Sequence, residues 1–137
     1  MANIRVHDSA QLQWRTAASM AEERGIELME EFRGTSLVFH EPGDDQHPQL
    51  FELRFEPDSE VSVHAHEQDE IFYVVAGSMK LGSREIGPGS SVFVQGNTLY
   101  SFGAGKDGLQ VLNFRPRFDQ SHISPEQHAE RRAMARA

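Results

Sequence analysis

Two histidines one residue apart, a carboxylate four positions beyond the second, and an apolar run closed by glycine make up the stretch His64 to Gly77, HAHEQDEIFYVVAG. Side chains alternate across a strand, so His64 and His66 leave one face and Ala65 the other, and the two imidazoles can converge on one point. Glu67, Gln68 and Asp69 read as a polar turn, and Glu70 opens the run Ile71 to Ala76. A hairpin there swings the Glu70 carboxylate back towards the rings. The expected set is two histidines and one carboxylate, a metal-ligand pattern. The plain alternative is a pair of half-exposed histidines on a strand beside a surface carboxylate.

The flanking sequence supplies strands. Ser36 to His40 (SLVFH) is followed by the breaker run EPGDDQHP and then by LFELRFE, in which Phe51, Leu53 and Phe55 alternate with Glu52, Arg54 and Glu56. That alternation is the signature of a half-buried strand. Pro57 and Asp58 turn the chain into Val61 to His66; Gly77 and Ser78 are expected to turn it again into MKLG, and Gly82 to Arg84 form a tight turn. Further strands are expected over Ser91 to Gln95, Leu99 to Phe102 and Leu109 to Phe114, the last two separated by AGKDG, where Asp107 and Gly108 suit a hairpin. Roughly eight short strands at close spacing point to an all-β sandwich or barrel.

The ends read differently. Residues 1–34 form an N-terminal extension with a short helix around Ala17 to Arg24 stopped by Gly25, and Ile26 to Phe32 as a possible strand. Residues 116–137 form a C-terminal tail with a helix from about residue 125. Ser124, Pro125 and Gln127 supply its N-cap, first-turn proline and capping-box glutamine. Its basic end, Arg131, Arg132 and Arg136, reads as a solvated surface balanced by Glu126 and Glu130.

At 137 residues the chain fits one domain. It contains no cysteine, which excludes disulfides, thiolate metal sites and cysteine nucleophiles, so any metal must be held by nitrogen and oxygen. A net charge of −8 argues against nucleic acid or anionic membrane as partners. No apolar stretch reaches the roughly 18 residues of a membrane span, and MANIRVHDSAQLQW has no signal-peptide core, so a soluble cytoplasmic protein is expected. The Gly-rich segments read as turns, because none has the strand, loop and helix context of a phosphate cradle.

With these residues in view, the chain resembles the cupin superfamily, small β-barrels of jelly-roll type. That family's first motif is a glycine, five residues, HxH, three or four residues, Glu, six residues and Gly, and His64, His66, Glu70 and Gly77 stand at this spacing, with Asp58 in place of the first glycine. Asp tolerates the left-handed turn conformation, so the departure is mild. In the second motif Gly89 matches, while Gln95 replaces a proline, Asn97 a glycine and Ala104 an asparagine. Tyr100 occupies the place of the family's third histidine. The resemblance covers roughly residues 35–115 and implies the cupin β-barrel there. It leaves activity open, since cupins include dioxygenases, isomerases, decarboxylases, lyases, storage proteins and sensor domains.

Tyr100 has three readings: a fourth ligand, a group behind the ligands orienting water or substrate, or a buried tyrosine satisfied by a convenient acceptor. Phe72 shares parity with Glu70 and Phe102 with Tyr100, so both line the cavity or simply fill the barrel core. His7, His40, His47, His122 and His128 are assigned no chemistry. Two histidines and a carboxylate on one face form the arrangement of non-haem Fe(II) oxygenases, and the same ligands also hold Mn, Ni, Co or Zn. The expectation is a metal-dependent cupin enzyme, a dioxygenase ahead of an isomerase or lyase that would use Tyr100 as its catalytic acid or base. The alternative is a non-catalytic module binding a metal or small molecule. Cupins are commonly dimers, and Val61, Val63, Tyr73 and Val75, expected on outer strand faces, suit a homodimer contact.

Overall fold

The computed structural model describes residues 3–136; Met1, Ala2 and Ala137, the outermost residues of the two flanking segments, lie outside the described residues. Its core is one antiparallel sheet system of eight strands: β1 (Arg15–Thr16), β2 (Ser36–Glu41), β3 (Gln49–Phe55), β4 (Glu60–His64), β5 (Glu70–Leu81), β6 (Arg84–Ile86), β7 (Ser91–Val94) and β8 (Tyr100–Arg115). Neighbours run in the order β1-β2-β3-β8-β5-β6, with β4 also on β8 and β7 also on β5. Two long strands thus carry the molecule: β8 pairs with β3, β4 and β5, and β5 with β6, β7 and β8. The architecture is the expected all-β barrel of jelly-roll type with a short C-terminal helix.

Inward residues follow the two-residue period. On β5, Glu70, Phe72 and Val74 are buried while Ile71, Tyr73 and Val75 are exposed. On β8, Leu109, Val111, Asn113 and Arg115 point inward. Phe55, Val61, Phe72, Val74, Met79, Val94, Phe102, Leu109 and Val111 pack into one core. Burying each large apolar side chain contributes about 1.5–3 kcal/mol.

Four local expectations are corrected. Gly77 and Ser78 do not end a strand; β5 continues to Leu81, and the local irregularity is absorbed as a register shift against β8. The AGKDG segment makes no hairpin, because β8 runs unbroken from Tyr100 to Arg115. Met79 pairs with Ala104 and Gly77 with Leu109, so residues 105–108 of β8 stand against the single residue Ser78 of β5. Ile26 to Phe32 contains no strand; Glu30–Phe32 form a single turn of 3-10 helix. Finally, Val61 is buried rather than outward-facing, at 4% exposure. The cause is a bulge in β4: Val61 faces Phe102 and His64 faces Tyr100, three residues advancing against two, so both Val61 and His64 point inward.

Helix α1 (Ala17–Arg24) is capped by the Thr16 hydroxyl, which accepts from the Ser19 N–H at 3.0 Å, and is stopped by Gly25 at φ 65°. Helix α2 (Pro125–Arg136) opens with a reciprocal capping box, Gln127 N–H to Ser124 Oγ at 3.2 Å and Ser124 N–H to Gln127 Oε1 at 3.0 Å. Among the described residues no helix is long and apolar enough to cross a membrane.

Candidate functional site

One cavity of about 170 Å3 opens within the barrel. Phe32, Phe51, Leu53, Phe55, Val61, Phe72 and Phe102 form its apolar wall; His64, His66, His122, Tyr100, Asn113 and Arg115 form its polar side. The bulge in β4 delivers His64, the segment just beyond that strand delivers His66, and the last residues of β8 deliver Asn113 and Arg115.

The two motif histidines are oriented by backbone carbonyls. His64 Nδ1 donates to Ser62 O at 2.7 Å, and His66 Nδ1 donates to Ser121 O. A carbonyl can only accept, so Nδ1 carries hydrogen in both rings, and in the neutral ring the lone pair is on Nε2. The ring centroids lie 4.8 Å apart with planes at 79°. Burial, and next the positive charge of Arg115, push the His66 pKa down to about 4, so this ring is neutral at neutral pH and free to offer its lone pair.

Glu70 is at the floor of the site, 1% exposed. Its Oε1 accepts from the Tyr100 phenol; its Oε2 accepts from Asn113 Nδ2 at 3.0 Å and from Arg115 Nη2 at 3.3 Å. Arg115 in turn donates from Nε to Asn113 Oδ1 at 3.2 Å and from Nη1 to Asp119 O at 2.6 Å. The carboxylate is therefore a buried, charge-compensated hub rather than a free donor. Burial, reinforced by the charge of Glu70 and the hydrogen bond to it, raises the Tyr100 pKa far above that of an ordinary phenol. Tyr100 stays a neutral phenol that donates a hydrogen bond to Glu70 and keeps its proton.

The C-terminal segment completes the site. Ala65 and Ile123 exchange two backbone hydrogen bonds, Ala65 N–H to Ile123 O at 2.9 Å and Ile123 N–H to Ala65 O at 2.8 Å. Asp119, which is 8% exposed, accepts from Gln68 N–H at 2.9 Å and Ser121 N–H at 2.8 Å. Burial raises its pKa, but the donors from Ser121 and Gln68 and the charge of Arg115 outweigh this and hold the carboxyl below its usual value. This arm carries His122 to the cavity mouth, its ring stacked on His64 at 4.7 Å and 6.0 Å from His66.

The expected residues thus gather in one place, with different partners from those anticipated. His64 and His66 converge on the cavity, which Phe72 and Phe102 also line. Glu70 lies beneath, held by Tyr100, Asn113 and Arg115. Among the described residues no three His, Asp or Glu side chains are already arranged around one point for a metal ion. The two imidazoles fit an ion, being softly basic nitrogens with their other nitrogen anchored. Glu70 and Tyr100, as placed, do not fit one. His122, Asn113 and Arg115 were missed by sequence reasoning. The parity of β8 could have found Asn113 and Arg115, which lie two and four residues beyond the core residue Val111; nothing local marks His122. The remaining histidines lie elsewhere, as in His40 on Glu52 at 2.9 Å and His128 on Asn97 O at 2.9 Å.

No protein-family model matches the chain, and no curated protein matches it in sequence. Solved structures do match it in shape. An RmlC-like cupin protein from Ralstonia eutropha superposes with a TM-score of 0.67 at 13% identity, over 97% of this chain and 87% of that one. The polyketide cyclase RemF from Streptomyces resistomycificus gives 0.64 at 18% identity, over 96% and 94%. KdgF from Halomonas gives 0.53 at 22% identity, over 69% and 89%. The protein has the cupin fold. Identities this low speak for fold alone.

Proposed function

We propose that this protein is a metal-dependent oxidoreductase of dioxygenase type acting on a small organic substrate, with His64 and His66 holding the ion and iron as that ion. The observation that carries this reading is the anchoring of both Nδ1 atoms on carbonyls, which leaves both Nε2 atoms for one ion beside an apolar cavity. When bound, iron supplies open positions for substrate oxygen atoms and for dioxygen. In a dioxygenation both oxygen atoms enter the substrate, so the reaction needs no external reductant.

The chain's own residues do the rest. An engineered apolar cavity of about 150 Å3 accepts benzene, so the space here suits a ring-sized apolar body. Phe72, Phe102, Phe55 and Leu53 exclude water around it. Tyr100 contributes a neutral hydroxyl edge fixed by Glu70, and Arg115 balances the charge of Glu70 so that the floor carries no net anion. This arrangement favours the oxygenase over an isomerase or lyase that needs Tyr100 as a base, because its phenol is held protonated.

Metal content after purification tests the site: replacing His64 and His66 together with alanine should abolish it, and retention at wild-type stoichiometry overturns the assignment. A second reading, a binding module without turnover, is favoured by the engagement of both Glu70 oxygens, which leaves no spare carboxylate at the cavity. Oxygen uptake with Fe(II) and catechols, β-diketones or keto acids separates the two; ligand binding without uptake supports the module.

The protein is further proposed to act as a homodimer. Ile71, Tyr73, Val75, Phe93 and Phe114 are 38–62% exposed, and Ile71 pairs with both Phe93 and Phe114, making a continuous apolar outer face. Sedimentation as a monomer at micromolar concentration refutes this.

A further inference from the structure

We propose that His122, on the C-terminal arm, supplies the third protein nitrogen to the ion held by His64 and His66. This rests on the metal reading above and gives it a donor from outside the strand motif. Tyr100 stands where the third histidine of the resembling family is expected, yet its proton is committed to Glu70, and both Glu70 oxygens are committed to other donors. Two imidazoles alone hold a divalent ion weakly. The arm brings the missing imidazole.

The placement of His122 is built, not incidental. The paired hydrogen bonds between Ala65 and Ile123 dock the arm in register on the residue that separates His64 from His66. The residue before His122 gives its carbonyl to His66, and the residue after it is 2% exposed. Asp119 and Arg115 brace the segment from below. All three imidazole centroids consequently lie within 6.0 Å of one another.

The ring of His122 lies parallel to that of His64, at 6°, and lone pairs in parallel planes do not meet. Ligation therefore requires His122 to turn. It is the exposed ring of the three, whereas His64 and His66 are pinned through Nδ1. Rotation about its side-chain torsions gives up the stack on His64 and takes a rotamer change.

Titration of chelator-treated full-length protein with Co(II), followed by visible absorption and calorimetry, tests the assignment without any turnover. H122A should lose Co(II) affinity by at least about 10- to 100-fold, the range known for losing even a partner behind a ligand. Its Co(II) spectrum should change, and added imidazole should restore the wild-type spectrum. H122N, which keeps a polar side chain at this exposed position, should behave as H122A and guards against a folding defect, read by circular dichroism. Wild-type affinity and spectrum in both variants overturn the proposal while leaving the His64 and His66 site intact. Unchanged binding in the His64, His66 double variant, or no binding by the wild-type protein, overturns the metal reading itself.

Discussion

The Tyr100 phenol donates its hydrogen to Oε1 of Glu70, across thirty residues of sequence, within a site that is closed to water on that side. Forming a phenolate there would place a second negative charge against Glu70 in a poorly solvated position. The chain has two tyrosines, so Y73F leaves Tyr100 as the single phenol. In that variant the phenolate absorbance near 295 nm should appear only as the protein unfolds in alkali. A reversible rise near pH 10 with the fold intact would mean that Glu70 does not control Tyr100.

Arg115 compensates Glu70, and the two are 8–9% and 1% exposed respectively as residue and side chains. Removing one partner of such a pair strands a charge in a dry site, at a cost of about 3–5 kcal/mol, whereas replacing both by apolar groups is far milder. Urea unfolding of R115M should show that loss, and the double variant R115M with E70M should recover most of it. Equal stability of R115M and wild type would show that the pair is not coupled.

Acid should destabilise the metal-free protein before the carboxylates titrate. His66 is held near pKa 4 in the fold by burial and by Arg115, against about 6.5 in an unfolded chain. Between these values the unfolded state binds a proton that the folded state does not, so stability is complete above about pH 6.5 and falls as pH drops towards 4. Urea midpoints measured from pH 7 to 4.5 should decline, and H66A should show a shallower decline. Identical slopes would remove His66 from the account.

Gly77 pairs with Leu109 across the bulged ladder between β5 and β8 and lies against the Gly108 carbonyl. A Cβ at Gly77 would sit 2.1 Å from the Gly108 carbonyl oxygen, and its φ is 70°. Gly82, at φ 61°, has nothing within 4 Å of a built Cβ. Both alanine variants bear the left-handed backbone cost of about 1–2 kcal/mol, but only G77A must also move backbone. The Tm of G77A should fall by at least about 5 °C more than that of G82A, as read by calorimetry. Equal shifts would show that the close approach relaxes freely.

Much of this was written locally. The alternation of Phe51, Leu53 and Phe55, the turn at Asp58 with φ 59°, and the Ser124 to Gln127 capping box all depend on a few neighbouring residues, and each appears as expected. The HxH spacing likewise put His64 and His66 on one face. Breaker signals were less reliable: Gly77 and the Asp107, Gly108 pair marked irregularity, but pairing along two long strands outweighed it and absorbed both as bulges. Val61 changed sides for the same reason, since one extra residue in β4 reverses parity.

By itself, then, the sequence determined an all-β barrel with two histidines facing its interior, because period-two alternation is a property of the strand alone. Tertiary structure decided what surrounds them. Glu70 meets Arg115 forty-five residues away, and His122 reaches the cavity only because Ile123 pairs with Ala65. Such contacts depend on where the chain returns, and no local spacing of residues encodes the return.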